Sequence, residues 1–242
     1  MNSISIIIPA FNEENRLPAT LSAVFTYLAA RAWEFAEVVV VDDGSTDGTC
    51  GVADRLAPLH PGLRLLRNPG NRGKGYSVRH GVMDARGEWI LFTDADLSAP
   101  IEELDKLAAA AARRHAAVAI GSRALDRSLI SVHQSLFREN AGRLFNLLVR
   151  LLTGLAFQDT QCGFKLLEAR AAREVFRRQR LERFGFDVEV LFIARLLGYD
   201  SIEVPVRWSH SPGTKVRMFR DSLAMFGDLL RVRWNQWRGR YR

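Results

Sequence analysis

Trp89-Ile90-Leu91-Phe92-Thr93-Asp94-Ala95-Asp96-Leu97-Ser98 runs from five mostly apolar residues straight into two carboxylates one residue apart. So short an apolar run reads as a strand buried on both faces. A buried strand carries no unpartnered acids, so the chain leaves the sheet at Asp94. Open α/β sheets bind their ligands outside the carboxyl ends of the strands. Asp94 and Asp96, one small residue apart, can turn both carboxylates toward one hard cation or a phosphate-bound metal. The pattern alone equally fits a solvated turn opening the helix that follows Pro100, and the rest of the chain decides between the two.

Two earlier strands repeat the plan. Ile4 to Pro9 is rich in β-branched residues and ends in the polar turn Pro9-Ala10-Phe11-Asn12-Glu13-Glu14-Asn15, before a helix predicted over Leu17 to Arg31. Glu37 to Val41 contains four valines and ends in Asp42-Asp43-Gly44-Ser45-Thr46-Asp47-Gly48, where Thr46 or Asp47 can cap the next helix. Leu63 to Arg67 is a third strand, Tyr76 to Ala85 a helix, Ile101 to Arg114 another, and Ala117 to Gly121 a further strand. Strands alternating with helices predict an α/β fold, a Rossmann-like, doubly wound and mainly parallel sheet. Asn12, Asp43 and Asp94 then share one edge, as a nucleotide crevice requires.

The glycine loop Gly70-Asn71-Arg72-Gly73-Lys74-Gly75 fits neither the dinucleotide fingerprint nor the P-loop, since Gly75 follows Lys74 where Ser or Thr is needed. It is either a plain surface turn or a set of backbone N–H groups and cations that attend a diphosphate.

The chain has 242 residues, 48% hydrophobic and 25% charged, enough for one full α/β core. Its net charge is +7, yet residues 213–242 alone carry eight Lys or Arg against two Asp. We therefore divide the chain into a main α/β domain, residues 1–212, and a basic amphipathic helical segment, residues 213–242. On a helical wheel Phe219, Leu223, Phe226, Leu230, Trp234 and Trp237 form one apolar sector, and Met218, Met225, Leu229 and Val232 a second. One sector can pack on the main domain; the other needs cover from an anionic membrane surface or from a homodimer partner. Leu136 to Thr153 is also amphipathic, with Phe137, Ala141, Leu144, Leu148 and Leu152 on one face. Cys50 and Cys162 form no disulfide framework, which suits a reducing compartment, and Cys162 reads as a small buried hydrophobe. Met1 leads into a short apolar stretch unlike a signal peptide, and no apolar run spans a bilayer.

Taken together, Pro9-Ala10-Phe11-Asn12-Glu13, Val41-Asp42-Asp43-Gly44-Ser45-Thr46-Asp47-Gly48, Asn71-Arg72-Gly73-Lys74-Gly75 and Asp94-Ala95-Asp96 resemble the inverting family 2 glycosyltransferases of GT-A fold. Gly121-Ser122-Arg123, Asp159-Thr160-Gln161-Cys162-Gly163-Phe164-Lys165, Gly185-Phe186-Asp187-Val188-Glu189 and Glu203-Val204-Pro205-Val206-Arg207-Trp208 look like the dolichyl-phosphate β-glucosyltransferase branch, whose nearest relatives are the mannosyltransferases. The resemblance implies that glucose is moved from UDP-glucose to dolichyl or polyprenyl phosphate. It implies that Pro9, Phe11, Glu13, Val41 and Asp43 line the base and ribose pocket, and that Asp94, Ala95 and Asp96 hold the sugar nucleotide. Mg²⁺ or Mn²⁺ would bind Asp96, with Asp94 and Ser98; in the mannosyl relatives a Gln stands where this chain has Ser98. Arg123 and Arg138 match positions that contact the acceptor phosphate; four residues beyond Arg138, where the relatives carry a further contacting Ser, this chain has Gly142, and Arg143 would substitute.

Lys74 and Lys215 would attend the diphosphate, the latter from a loop that also holds His210. Asp159 and Asp187 are the candidate catalytic positioning residues or weak bases, although an acid in the first turn of a helix is favourable without any function. The enzyme would be cytoplasmic and peripheral on the cytoplasmic face of a membrane. Two rivals stand beside this reading: a GDP-mannose-dependent polyprenyl-phosphate mannosyltransferase, and a basic nucleotide- or nucleic-acid-binding module. The favoured reading needs no nucleic acid.

Overall fold

The computed structural model describes residues 1–132, 136–210 and 218–242, without the side chains of residues 136–140, 143 and 218–223. β1 (Ser3–Ala10), α1 (Leu17–Ala29), β2 (Phe35–Asp42), α2 (Thr49–Leu56), β3 (Leu63–Arg67), α3 (Lys74–Asp84) and β4 (Trp89–Phe92) alternate as the apolar periodicity predicts. α4 (Leu104–Arg114) follows a 3-10 turn at Ile101–Glu103, and β5 (Val118–Ser122) completes this part. Then come β6 (Ile130–Val132), α5 (Leu136–Thr153), β7 (Lys165–Glu168), α6 (Ala169–Arg178), α7 (Phe186–Leu196), β8 (Ser201–Pro205), β9 (Trp208–Ser209) and α8 (Met218–Trp237).

The main sheet has seven strands in the order β3-β2-β1-β4-β7-β5-β8. All neighbours are parallel except β7, which runs antiparallel to β4 and β5. Parallel strands are covered on both faces, so their alternating side chains feed two cores. Ile4, Ile6 and Ile8 with Val38 and Val40 face α1 and α4, whereas Ile7, Val39, Val41, Ile90 and Phe92 face α3, α6 and α7. In register, Ile7 lies between Val39 and Phe92, which aligns the ends of β1, β2 and β4. Their carboxyl ends therefore fall on one edge.

β7 is the strand the sequence hides. Lys165-Leu166-Leu167-Glu168 has a charge at each end, and Lys165 is fully buried between β4 and β5. Because β7 runs backward, the loop entering it lies on the same edge as the carboxyl ends of β1, β2 and β4. That reversal carries residues 159–164 into the crevice.

The C-terminal helix divides its two apolar sectors. Leu229 and Val232 are buried in the core shared with α7, while Phe226, Leu230, Trp234 and Trp237 are exposed. The sectors containing Met218, Phe219 and Leu223 lie partly outside the described side chains. In α5 the buried stripe is Phe145, Leu148, Val149 and Leu152, and Leu144, expected beside Leu148 and Leu152, is exposed together with Leu147 and Leu151. The buried stripe is centred about 50° round the helix from the one expected, which leaves Leu144 on its flank. After α8 the chain turns at Gly239 and inserts Tyr241, whose hydroxyl donates to Glu189 Oε1 at 2.6 Å.

Residues 229–242 thus supply core as well as surface. Glu189 is fully buried, and its other oxygen accepts the backbone N–H groups of Arg180 and Leu181. Tyr241→Phe leaves one buried carboxylate oxygen without its donor and is expected to cost about 1–3 kcal/mol in urea unfolding. An unchanged midpoint would mean that the tail is not clasped to the body.

Candidate active site

At the edge where β1, β2 and β4 end, each acid meets a specific partner. Asp43 is buried, and it folds the glycine loop around its carboxylate. Oδ1 accepts from Asn68 Nδ2 at 2.8 Å and from the Arg72 N–H at 2.9 Å, and Oδ2 accepts from the Gly73 N–H at 2.7 Å. The loop comes close enough that a Cβ on Gly44 would stand 2.7 Å from the Gly70 carbonyl carbon, and Gly44 itself has φ +77. From the other side Glu182 pairs with Arg72 at 2.7 Å, and its carbonyl accepts from the Tyr76 N–H. This bracing presents the N-terminus of α3, with Lys74 as its first residue, to the crevice.

Lys74 Nζ lies 2.5 Å from Asp94 Oδ1. The other Asp94 oxygen abuts Gly163, where a Cβ would stand 2.1 Å from Oδ2. Burial by itself would lower the Lys74 ammonium, but the negative charges of Asp94, Asp187 and Asp96 hold it above its ordinary value. Asp96 is half-buried, and its Oδ1 accepts from the Ser98 N–H at 3.0 Å across Leu97, which is held at φ +44. Among the described residues no group of three or more His, Cys, Asp or Glu could hold a metal. Two carboxylates and a hydroxyl are nevertheless an all-oxygen set that fits Mg²⁺ or Mn²⁺, which take one or two protein carboxylates and complete their shell with phosphate oxygens.

A second cation stands beyond Gly163. Arg123 follows β5 and pairs side-on with Asp159, Nε to Oδ2 at 2.6 Å and Nη2 to Oδ1 at 2.8 Å, while its guanidinium lies 5.4 Å from the Trp208 ring centre. Burial alone would raise the Asp159 carboxyl, but Arg123 overrides it and holds the group below the usual range. The Gln158 and Asp159 N–H groups are in turn accepted by Glu203 from β8. Deeper in, fully buried Lys165 reaches Asp187 Oδ1 at 2.5 Å and the Cys162 carbonyl at 2.6 Å. Burial keeps Asp187 above its ordinary value despite Lys165 and Lys74. The Cys162 thiol is pushed up to about 12, first by burial and then by Asp159. A thiol so raised is no nucleophile near neutral pH.

Asp43, Lys74, Asp94, Ala95, Asp96, Ser98, Arg123, Asp159 and Asp187 thus stand on or just inside one edge. Pro9, Phe11 and Glu13 are partly exposed beside it, with the Glu13 N–H donating to Thr49. Val41 contributes no pocket side chain, because it is fully buried and its Cγ2 packs toward Gly81 of α3. Asp43 spends its oxygens on the loop. Arg138 and Arg143 belong to α5, but their side chains lie outside the described residues, and Lys215 lies outside them altogether. Reading the sequence missed Lys165, Glu182 and Trp208. A lysine two residues after Gly163, at the start of an apolar stretch, was the available signal for Lys165.

An open, doubly wound sheet with one reversed strand and acids at its carboxyl edge is the GT-A arrangement. Glucosyl-3-phosphoglycerate synthase from Mycobacterium tuberculosis, solved with Mn²⁺, UDP and glucosyl-3-phosphoglycerate, superposes with a TM-score of 0.68 at 16% identity, covering 96% of this chain and 80% of its own. The model of glycosyl transferase family 2 matches residues 5–176, and the chain belongs to that family. Dolichyl-phosphate beta-glucosyltransferase of Drosophila melanogaster is 40% identical over 95% of this chain and 74% of its own length. The Homo sapiens protein of that name is 36% identical over 99% and 77%.

Because the Asp94 carboxylate is the flexible end of a side chain, Gly163→Ala is expected to move it at little cost in stability, while weakening Mn²⁺-dependent UDP binding more than roughly tenfold by calorimetry. Unaltered binding would remove Asp94 from the site. The Arg123–Asp159 pair adds a pH signature. A carboxyl lowered in the fold contributes stability above its unfolded pKa of about 4 and loses it as pH falls through the folded value. Asp159→Asn is therefore expected to flatten the acid limb of stability below about pH 4 and to destabilise the protein at pH 7 by about 3 kcal/mol.

Proposed function

We propose that this glycosyltransferase moves glucose from UDP-glucose to dolichyl or polyprenyl phosphate with inversion at the anomeric carbon. The observation that carries the reading is the pair of cationic seats on one sheet edge, Lys74 at Asp94 and Arg123 at Asp159. One suits a donor diphosphate and the other an acceptor phosphate. The dolichyl-phosphate beta-glucosyltransferases, at 32–40% identity, supply the sugar and the acceptor.

The donor diphosphate would lie at the N-terminus of α3, against the glycine-loop N–H groups and Lys74, with Lys215 as a further cation. Pro9, Phe11 and Glu13 would line the base and ribose side, and Asp43 would act through the loop it folds. Asp96, Asp94 and Ser98 would hold Mg²⁺ or Mn²⁺, whose chemistry is to offset charge on the departing UDP. Arg123, with Arg138 and Arg143 from α5, would take the acceptor phosphate. One of its oxygens, already anionic because the second pKa of a phosphate monoester is about 6, forms the bond to the anomeric carbon as the bond to UDP breaks on the opposite side. No strong base is required. Asp159 then serves to orient the Arg123 guanidinium, and Asp187 to hold Lys165.

The acceptor is a lipid, and the surface suits it. No described helix is long and apolar enough to cross a membrane. α5 and α8 pack on one another, and each leaves an apolar row exposed: Leu144, Leu147 and Leu151, and Phe226, Leu230, Trp234 and Trp237. Leu151 is 72% exposed and Trp237 77%. Exposed Arg231, Arg233, Arg238 and Arg240 flank the second row. Tryptophans among arginines suit an anionic interface, where each cation contributes about 1 kcal/mol. Asp228 of α8 stands against Gly185, two residues ahead of Asp187, so the helix that carries this surface reaches the start of α7 beside the crevice. The reading places the enzyme peripherally on the cytoplasmic face of a membrane.

Incubation with UDP-glucose, GDP-mannose and dolichyl phosphate, followed by mass analysis of the lipid, is expected to yield a hexosyl phospholipid from UDP-glucose. A product from GDP-mannose alone would overturn the donor assignment. Leu151→Glu with Trp237→Glu is expected to reduce sedimentation with anionic liposomes more than about tenfold while UDP affinity stays unchanged. Retained sedimentation would move the membrane contact elsewhere.

A further inference from the structure

We propose that Lys74 makes divalent-metal binding conditional on the donor diphosphate: the ammonium and the metal ion compete for the Asp94 carboxylate, and the diphosphate is the partner that draws the lysine away. The inference rests on the reading of this edge as a site for a nucleoside diphosphate sugar and deepens it.

Asp94 is confined. Lys74 Nζ is 2.5 Å from Oδ1, and the backbone at Gly163 crowds Oδ2 so closely that a Cβ there would stand 2.1 Å away. The Asp94 side chain is 37% exposed, so an ion can reach the carboxylate, but only beside the ammonium already paired with it. Divalent ions bind carboxylate oxygens at about 2.0–2.6 Å, so an ion on Asp94 and the ammonium on the same group are like charges a few ångström apart. At that separation the repulsion is substantial even near a protein surface. Asp96 already accepts the Ser98 N–H, and among the described residues no cluster of three or more metal-ligating side chains could compensate.

Lys74 has somewhere else to go. It is the first residue of α3, directly after Gly73 at φ +108, in the loop whose Arg72 and Gly73 N–H groups Asp43 orders. A diphosphate seated at that helix end brings anionic oxygens within reach of the ammonium and supplies the metal with the ligands the protein lacks. One move of Lys74, from carboxylate to phosphate, therefore relieves the repulsion and completes the metal shell. Metal and nucleotide then bind cooperatively, and each must strengthen the other by the same factor.

The test is titration of Mn²⁺ alone into the wild-type protein, Lys74→Met, Lys74→Gln and Lys74→Arg, following free Mn²⁺ by paramagnetic resonance, then repetition at saturating UDP. Without nucleotide, Lys74→Met and Lys74→Gln are expected to bind Mn²⁺ roughly tenfold or more tighter than wild type, whereas Lys74→Arg, which keeps the charge, stays near wild type. The factor by which UDP tightens Mn²⁺ in wild type should shrink about as much in the two neutral variants. If variants with wild-type circular dichroism bind Mn²⁺ alone no more tightly than wild type, the competition does not exist. A wild-type protein that binds no UDP would instead overturn the donor reading, and the metal-only comparison would still decide the role of Lys74.

Discussion

Carboxylates gathered at one sheet edge have to be neutralised, and the way they are neutralised organises this protein. Parallel strands ending in acid bring negative charge together where water is partly excluded, and such charge is tolerated when each group has its own donor. Asp43 takes backbone N–H groups, Asp94 takes Lys74, Asp159 takes Arg123 and Asp187 takes Lys165. Each pairing ties a different loop to the edge. The neutralised site is consequently also a braced one, with the glycine loop, the end of β5, the loop before β7 and the start of α7 converging on a small volume.

The same pairings separate two kinds of cation. Arg123 is fixed by a side-on contact to a carboxylate whose N–H neighbours are held by Glu203, and its guanidinium stacks over Trp208. A planar group fixed along one edge is suited to present the rest of itself to an oxyanion. Lys74 makes a point contact through a flexible stem, which can exchange partners at small cost. With Arg123 assigned to the acceptor and Lys74 to the donor, as proposed, rigidity at one seat and exchangeability at the other fit a reaction in which one phosphate attacks while another departs.

The C-terminal segment links this edge to the outside. Leu229, Val232 and Tyr241 belong to the main core, and Tyr241 reaches Glu189, which also orders Arg180 and Leu181 just ahead of the loop-bracing Glu182. A helix with one face in the core and another carrying Trp234 and Trp237 transmits position rigidly. Under the proposed membrane contact, docking that outer face would orient the crevice as well.

Period and composition determined the first half of the fold on their own. Apolar runs closed by Pro9, Asp42 and Asp94, with amphipathic stretches between them, leave little choice but parallel strands with aligned ends, because each strand is local and its acids cannot be buried within it. The amphipathic pattern likewise marked α5 and the two sectors of α8. Only the tertiary structure decided which sector is covered, since that depends on what packs alongside. It alone revealed β7, whose buried Lys165 looks like a surface residue until Asp187, 22 positions later, arrives to pair with it. It also set Asp43 to ordering a loop and Val41 to filling a core. The resemblance assigns both to the pocket because it carries over a position beside the edge, while the direction a side chain takes there is fixed by neighbours far along the chain.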